Sequence, residues 1–170
     1  DCALEADGAN AIVVTSAERA SNIRHRPVYI MSSAQALPAA AGRNGESWDE
    51  SGASWLAPEL FGGAGVTPKD IDVIGFYDHF STVIITKLED YGFCQRGEGG
   101  PFVEEGRIEL GGEIPVNTSG GHLSEAYLQG MNQIIEVVRQ LRSDSHAQVE
   151  NAELGLVDSG DGSGALILRR

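Results

Sequence analysis

Basic residues are scarce in this sequence. Lys and Arg number 12 against 25 Asp and Glu, which gives a formal net charge of −13. Nucleic acid and anionic membrane surfaces are both bound by clustered Lys and Arg, so this balance disfavours both partners. No run approaches the ~20 apolar residues of a membrane helix, and no signal peptide is visible. We therefore expect a cytoplasmic protein that binds neither nucleic acid nor membrane.

Cysteine and histidine are also rare. Cys2 and Cys94 lie far apart, and none of the four His pairs with a Cys or another His at the spacing of zinc ligands. We predict no metal site, and two free thiols in a reduced setting. With so few cations, a CoA-type ligand would have to be met by local Arg residues, by backbone N–H groups or by another part of the molecule.

The apolar segments are short, and helical patterns alternate with them. Thr67, Pro68 and Asp70 form a strong helix-start signal. Apolar spacing predicts further helices at 17–22, near 50–61, at 79–91 and at 123–142, and strands at 11–15, 28–31, 72–76, 114–117, 154–158 and 165–169. Residues 95–114 suggest loops and a hairpin. A chain of 170 residues is enough for one core, and the alternation predicts an α/β sheet with helices on both faces.

The connection at about 36–66 is unusually long for a compact domain. It is rich in Gly and Pro and contains both tryptophans, Trp48 and Trp55. A loop of this length is usually functional or mobile. Its two Trp side chains indicate that it packs on something.

Polar residues follow the predicted strands at three places. Tyr77 ends the third strand, and the segments 117–127 and 158–164 lie at comparable corners, where ligands bind in sheets covered by helices. Taken alone, a tyrosine such as Tyr77 is more often a core or boundary aromatic than a catalyst, and the same holds for Tyr127 on an apolar helix face. These corners are therefore candidate sites whose chemistry the pattern leaves open.

The glycines between 160 and 164 superficially resemble a phosphate-binding loop. Such a loop needs a helix directly after it, because the helix N-terminus holds the anion. Here a predicted strand follows, so we interpret the segment as a tight turn between two strands.

Four segments together resemble the C-terminal half of the thiolase superfamily. They are residues 7–20, residues 67–80 with Tyr-Asp-His-Phe at 77–80, residues 117–127 and residues 158–164. The resemblance implies a mixed five-stranded sheet with helices on both faces and covers nearly the whole chain. The chain opens with Asp1 and enters a predicted strand almost at once. We therefore expect residues 1–170 to be a C-terminal domain without its N-terminal half.

The departures from that family carry the functional information. Tyr77 stands where a thiolase has Asn or His, Tyr127 where it has its catalytic His, and Asp158, or Ser159, where it has its acid/base Cys. This pattern is similar to the lipid-transfer protein branch, which includes aldolases that shorten steroid side chains as CoA thioesters. That branch works with a small zinc-ribbon/OB-fold partner. His79 departs from the branch, which often has Cys there.

The resemblance implies retro-aldol cleavage of a β-hydroxyacyl-CoA, with Tyr77 and Tyr127 as the acid/base pair and no covalently bound cofactor. An ordinary Tyr has a pKa of about 10, so one phenol needs a lowered pKa or a proton relay. Asn117 and two glycine backbones are candidates for an oxyanion site. The residues implied as supporting are Asp78, His79, Asn117, Gly120, Gly121, His122, Asp158 and Ser159.

Two other functions stay open. One is a non-catalytic acyl-CoA-binding or scaffolding subunit, and the other is an acyltransferase whose nucleophilic Cys lies in the absent half. The resemblance also implies a homodimer of the thiolase type. We expect this half alone to be inactive and to expose an apolar face meant for its other half.

Overall fold

The sheet of this chain is mixed. A computed structural model describes residues 1–35, 51–160 and 163–170. In these residues the sheet has four strands in the order β1-β4-β3-β2, of which β2 and β3 are parallel and the other two pairs antiparallel. The strands are β1 Tyr29–Gln35, β2 Val73–Phe76, β3 Leu154–Ser159 and β4 Gly164–Arg169. Because β2 and β3 are parallel, their carboxyl ends meet at one edge of the sheet.

Helices cover both faces of this sheet, as predicted. They are α1 Ala17–Ala20, α2 Ala53–Ala64, α3 Ser81–Asp90, α4 Gly99–Glu104, α5 Gly121–Ser124 and α6 Met131–Arg142, with a 3-10 turn at Pro68–Asp70. One face packs Leu60 of α2 and Leu88 of α3 against Ile167. The other packs Val137 and Leu141 of α6 against the opposite side of the same strands. Two apolar layers therefore enclose the sheet at β2 and β3.

The helix starts match their sequence signals. The Ser16 hydroxyl accepts the Arg19 N–H at the start of α1. Thr67 and Asp70 form a reciprocal capping box, in which Asp70 Oδ2 accepts both the N–H and the hydroxyl of Thr67 at 2.8 and 2.7 Å. These hydrogen bonds lower the pKa of the Asp70 carboxyl. The helix that they begin is a single 3-10 turn leading into β2.

The prediction of five strands is wrong for the described residues. Residues 11–15 lie in no strand, and Val13 is 92% exposed. A β-branched run becomes a strand only where a neighbour completes its hydrogen-bond ladder, and no described strand adjoins it. Residues 114–117 come closer to forming a strand, because they make an isolated bridge to β2. The Ile74 N–H donates to the Pro115 carbonyl and the Asn117 N–H donates to the Ile74 carbonyl, each at 2.9 Å.

The predicted helix 123–142 is two helices. α5 ends at Ser124 and α6 begins at Met131, with an irregular segment between them. Gln129 and Gly130 have φ of +55° and +84°, a left-handed backbone that cannot continue an α-helix. Tyr127 therefore lies between helices and not on an apolar helix face.

The buried side of α6 also differs from its apolar pattern. Ile134, Ile135 and Val138 are only half-buried. The buried positions include four polar side chains, Asn132, Gln133, Glu136 and Gln140. Glu136 Oε1, for example, accepts hydrogen bonds from the hydroxyls of Thr118 and Ser145, both at 2.6 Å. The buried face of α6 therefore forms hydrogen bonds with the polar loops that contain Thr118 and Ser145.

Other loop predictions have mixed outcomes. The long insert contains α2, in agreement with the predicted helix near 50–61, whereas Trp48 falls outside the described residues. Trp55 is 63% exposed and does not pack into the core. Within 95–114 the chain forms α4 where loops and a hairpin were predicted, because Phe102 is buried against the core. Among the described residues, no helix combines the length and apolar character that crossing a membrane requires.

Candidate active site

Two tyrosines meet at the carboxyl edge of β2 and β3. Tyr77 follows β2 directly, and its N–H donates to the Asp158 carbonyl at 3.1 Å. Tyr127 lies in the segment between α5 and α6. Although they are 50 residues apart in sequence, their phenolic oxygens are 2.5 Å apart. The structure therefore brings together the two residues that the sequence singled out.

The tyrosine pair lies at the border of the interior. Tyr77 is buried, whereas Tyr127 is half-buried. Tyr127 lines an open groove of about 510 Å³ whose other wall is residues 5–10. A molecule in that groove can reach the Tyr127 phenol, which in turn contacts the Tyr77 phenol.

The side chain of Gln129 also contacts the tyrosine pair. Its side-chain oxygen lies 3.3 Å from the Tyr77 hydroxyl. An amide oxygen only accepts hydrogen bonds, so Tyr77 can donate to Gln129 while it accepts from Tyr127. Gln129 was not predicted as a site residue, since its contact depends on a left-handed backbone that the pattern does not signal.

His122 packs against both phenols but has both ring nitrogens engaged elsewhere. Its ring centre lies 4.5 Å from that of Tyr77 and 4.9 Å from that of Tyr127. Nε2 accepts the Gly130 N–H at 2.9 Å, and Nδ1 lies 2.9 Å from the side-chain nitrogen of Gln133. Nδ1 lies 3.2 Å from Asp78 Oδ1. In this geometry His122 holds the tyrosine rings and offers no free nitrogen to either phenol.

Asp78 anchors that histidine from beneath. Its Oδ1 accepts the backbone N–H of His122 at 2.7 Å and the side-chain N–H of Gln133 at 3.1 Å. The carboxylate approaches Gly121 so closely that a Cβ built there would lie 2.2 Å from Oδ2. Gly121, at φ +62°, thus makes room for Asp78, and its role in an oxyanion site stays a prediction.

The side chain of Asn117 hydrogen-bonds to the backbone at the end of β2. Its Oδ1 accepts the Phe76 N–H at 2.8 Å, and its Nδ2 donates to the Phe76 carbonyl at 3.0 Å. The N–H of Gly120 donates to the Asn117 carbonyl at 2.8 Å. These groups, which were candidates for an oxyanion site, are used to fix the backbone that leads into Tyr77.

Asp158 lies under the tyrosines in a buried polar cluster. Its Oδ1 is 2.5 Å from Lys87 Nζ, and both side chains are 0% exposed. The Tyr91 hydroxyl donates to Oδ2 at 2.7 Å. Burial, together with the Asp158 charge, raises the pKa of the Tyr91 phenol well above 10. Lys87 and Tyr91 were not predicted as site residues, although a lysine between Ile84 and Leu88 on a buried helix face is a usable signal.

The remaining predicted residues lie at the margin of this site. The His79 ring centre is 5.3 Å from that of Tyr77. Ser159 ends β3 beside Gly130, where a built Cβ would lie 2.5 Å from Ser159 Oγ. Across residues 1–35, 51–160 and 163–170, no group of three His, Cys, Asp or Glu side chains is arranged to hold a metal ion.

Known proteins share this arrangement of elements. A family model described as thiolase C-terminal domain-like matches residues 35–166. The chain is 43% identical to a 17-hydroxy-3-oxo-4-pregnene-20-carboxyl-CoA lyase of Mycobacterium tuberculosis, over 95% of this chain and 43% of that protein. It is 38% identical to a steroid side-chain-cleaving aldolase of Thermomonospora curvata, with the same coverage. A solved Ltp2-ChsH2(DUF35) aldolase superposes with a TM-score of 0.85 at 35% identity, covering 90% of this chain and 42% of that one.

Proposed function

The chain belongs to the thiolase C-terminal domain-like family, and from this premise we propose that it forms the tyrosine-bearing half of a retro-aldolase. It spans less than half the length of the two curated relatives described above, so the reaction is proposed for the whole protein. The proposed substrate is a β-hydroxyacyl-CoA thioester of the steroid side-chain type, which the names of those relatives support.

The contact between the two phenols carries this proposal. A retro-aldol cleavage needs a base for the β-hydroxyl proton and an acid for the enolate that forms. As the base removes that proton, the Cα–Cβ bond breaks, the β-carbon becomes a carbonyl, and the electron pair moves into the thioester enolate. The acid then protonates the α-carbon. Tyr77 and Tyr127, joined at 2.5 Å, can share these roles, because a short hydrogen bond from one phenol stabilises its partner as phenolate.

The surrounding residues position this pair in the proposed mechanism. His122, oriented by Asp78, packs on both rings, and Asn117 fixes the backbone that precedes Tyr77. The thioester oxygen would be met by groups outside this cluster. Because the chain is strongly anionic, we propose that the CoA phosphates are also bound elsewhere in the protein.

Partners are part of the proposal. The solved aldolase is named for two components, Ltp2 and ChsH2(DUF35), which supports a zinc-ribbon/OB-fold partner for this protein too. A homodimer of the thiolase type and a cytoplasmic location are proposed with it.

An acyltransferase of the thiolase type is less well supported. The resemblance places Asp158 where such an enzyme has its acid/base Cys. That carboxylate is fully buried and paired with Lys87 and Tyr91, so it is not placed to exchange protons with a substrate.

The test uses the full-length protein with its partner and a β-hydroxyacyl-CoA ester, and product CoA esters are measured by mass spectrometry. Tyr77→Phe and Tyr127→Phe should each lower kcat by about 10²–10⁴-fold, the range of general acid–base catalysis. Tyr29→Phe, on β1 at the far edge of the sheet, should keep the wild-type rate. Full cleavage by both site variants would sink the proposal, and acyl-CoA binding without any cleavage by the wild type would favour a non-catalytic subunit.

A further inference from the structure

The buried charges beneath Tyr77 have a role in its chemistry. We propose that Lys87, held by Asp158, is a positioning residue that orients Tyr77 and favours its phenolate form. This inference rests on the proposed function, in which one tyrosine of the pair acts as a base.

Lys87 contacts Tyr77 as well as Asp158. Its Nζ donates to the Tyr77 carbonyl at 3.1 Å and to Asp158 Oδ1 at 2.5 Å. The same nitrogen lies 5.7 Å from the centre of the Tyr77 ring. Since the Tyr77 N–H donates to the backbone carbonyl of Asp158, the N–H of Tyr77 is held by the β3 backbone and its carbonyl by the Lys87 side chain.

Stability alone is a weak reason for this pair. Removing two charges from water costs several kcal/mol each, and apolar side chains of similar volume often serve a core as well or better. Lys87 is flanked along its helix by Ile84 and Leu88, both buried, so an apolar residue would suit its surroundings. The contact with Tyr77 is a role for the Lys87 charge that an apolar side chain could not perform.

The electrostatic effect has a definite sign. A cation near the ring favours phenolate over phenol, and the Asp158 carboxylate opposes it. The titratable groups around Tyr77 in the described residues are Tyr127, His122, His79, Asp78, Lys87, Asp158 and Tyr91. Of these, Lys87 is the cation that lies over the ring face. At about 6 Å and an effective dielectric constant of about 20, one charge moves an ionisation midpoint by roughly one to two pH units.

The experiment compares the full-length wild type with Lys87→Met and with the double variant Lys87→Met/Asp158→Asn. The double variant leaves no unpaired buried charge, so it keeps the test valid if the single variant does not fold. The first readout is the acid limb of the kcat/KM profile. The second is the ¹⁹F NMR titration of 3-fluorotyrosine placed at position 77, which needs no activity. Tyr91→Phe is the matched control, because it perturbs the same cluster without changing charge.

Lys87→Met should move the midpoint to higher pH by about one unit or more. The double variant should move it in the same direction by less, because it also removes the opposing carboxylate, and both variants should lower kcat more than they raise KM. Tyr91→Phe should leave the midpoint in place. A folded double variant that titrates at the wild-type midpoint would overturn the inference, whatever its activity. If the wild type cleaves no β-hydroxyacyl-CoA, the proposed function fails, yet the ¹⁹F titration still decides the role of Lys87.

Discussion

Gly121→Ala tests the packing that holds the tyrosine pair. The residue has φ +62°, and an added Cβ would lie 2.2 Å from Asp78 Oδ2 and 2.7 Å from the carboxyl carbon. No rotation of the new methyl group avoids this contact, because Cβ is fixed by the backbone. The carboxylate of Asp78 must therefore move by about 1 Å, the shortfall from ordinary van der Waals contact.

The cost follows from what that movement breaks. The left-handed backbone costs an alanine about 1–2 kcal/mol. Asp78 would also lose its hydrogen bonds to His122 and Gln133, and bonds to a charged group contribute about 1.5–3 kcal/mol each. If only one of the two bonds is lost, the free energy of unfolding falls by about 3–5 kcal/mol. For a domain of this size, that lowers Tm by roughly 6–20 °C.

The assay is thermal unfolding of the full-length variant, with cleavage activity measured well below its Tm. Activity should fall as well, since Asp78 orients His122 and His122 packs on both phenols. Gly62→Ala is the control, because Gly62 lies inside α2 with nothing within 4 Å of a built Cβ, and it should stabilise the protein by about 0.5–1 kcal/mol. A Gly121→Ala protein with wild-type Tm would refute this account of the site.

Two further predictions follow from raised pKa values. Burial and Asp158 raise the pKa of Tyr91 above its unfolded value of 10.0. The stabilising contribution of this phenol is therefore complete below pH 10 and is lost as pH rises above it. Tyr91→Phe should flatten the fall of Tm at alkaline pH, and an unchanged slope would contradict this. Burial, with Glu89 and Glu98, raises the pKa of Cys94, so maleimide at pH 7.5 should modify it more slowly than glutathione, as peptide mass spectrometry would show. An equal or faster rate would contradict this.

The meeting of Tyr77 with residue 158 could be predicted from sequence. Each ends a short apolar strand, and parallel strands place their carboxyl ends at one edge. The pairing of Phe76 with Asp158 in the sheet confirms that placement. Nothing in the residue pattern alone specified Tyr127 as the partner of Tyr77; that expectation came from the resemblance to a family.

The helix that was predicted through Tyr127 shows where pattern reasoning fails. Apolar residues continue at helical spacing across 123–141, but Gln129 and Gly130 take positive φ and end the periodicity. A single Gly in a helical pattern is tolerated often enough that it does not predict a break. The break is what frees Tyr127 to turn toward Tyr77, so the error falls on an element of the candidate site, as is expected where local preference and function compete.

The resemblance to thiolases implies that Asp158 stands in place of a cysteine and that Tyr77 and Tyr127 stand in place of other polar residues, and these three differences fit together in the structure. A thiol at the end of β3 could swing toward a substrate, whereas the Asp158 carboxylate turns inward to Lys87 and Tyr91. In the proposed mechanism, proton transfer then depends on the two phenols above it, which are exposed to the groove through Tyr127. An inward carboxylate needs a cation, and the cation that it holds also contacts Tyr77. The substitutions therefore act as one set, and a return of Asp158 to Cys alone would leave Lys87 unpaired and should destabilise the fold before it restored any thiolase chemistry.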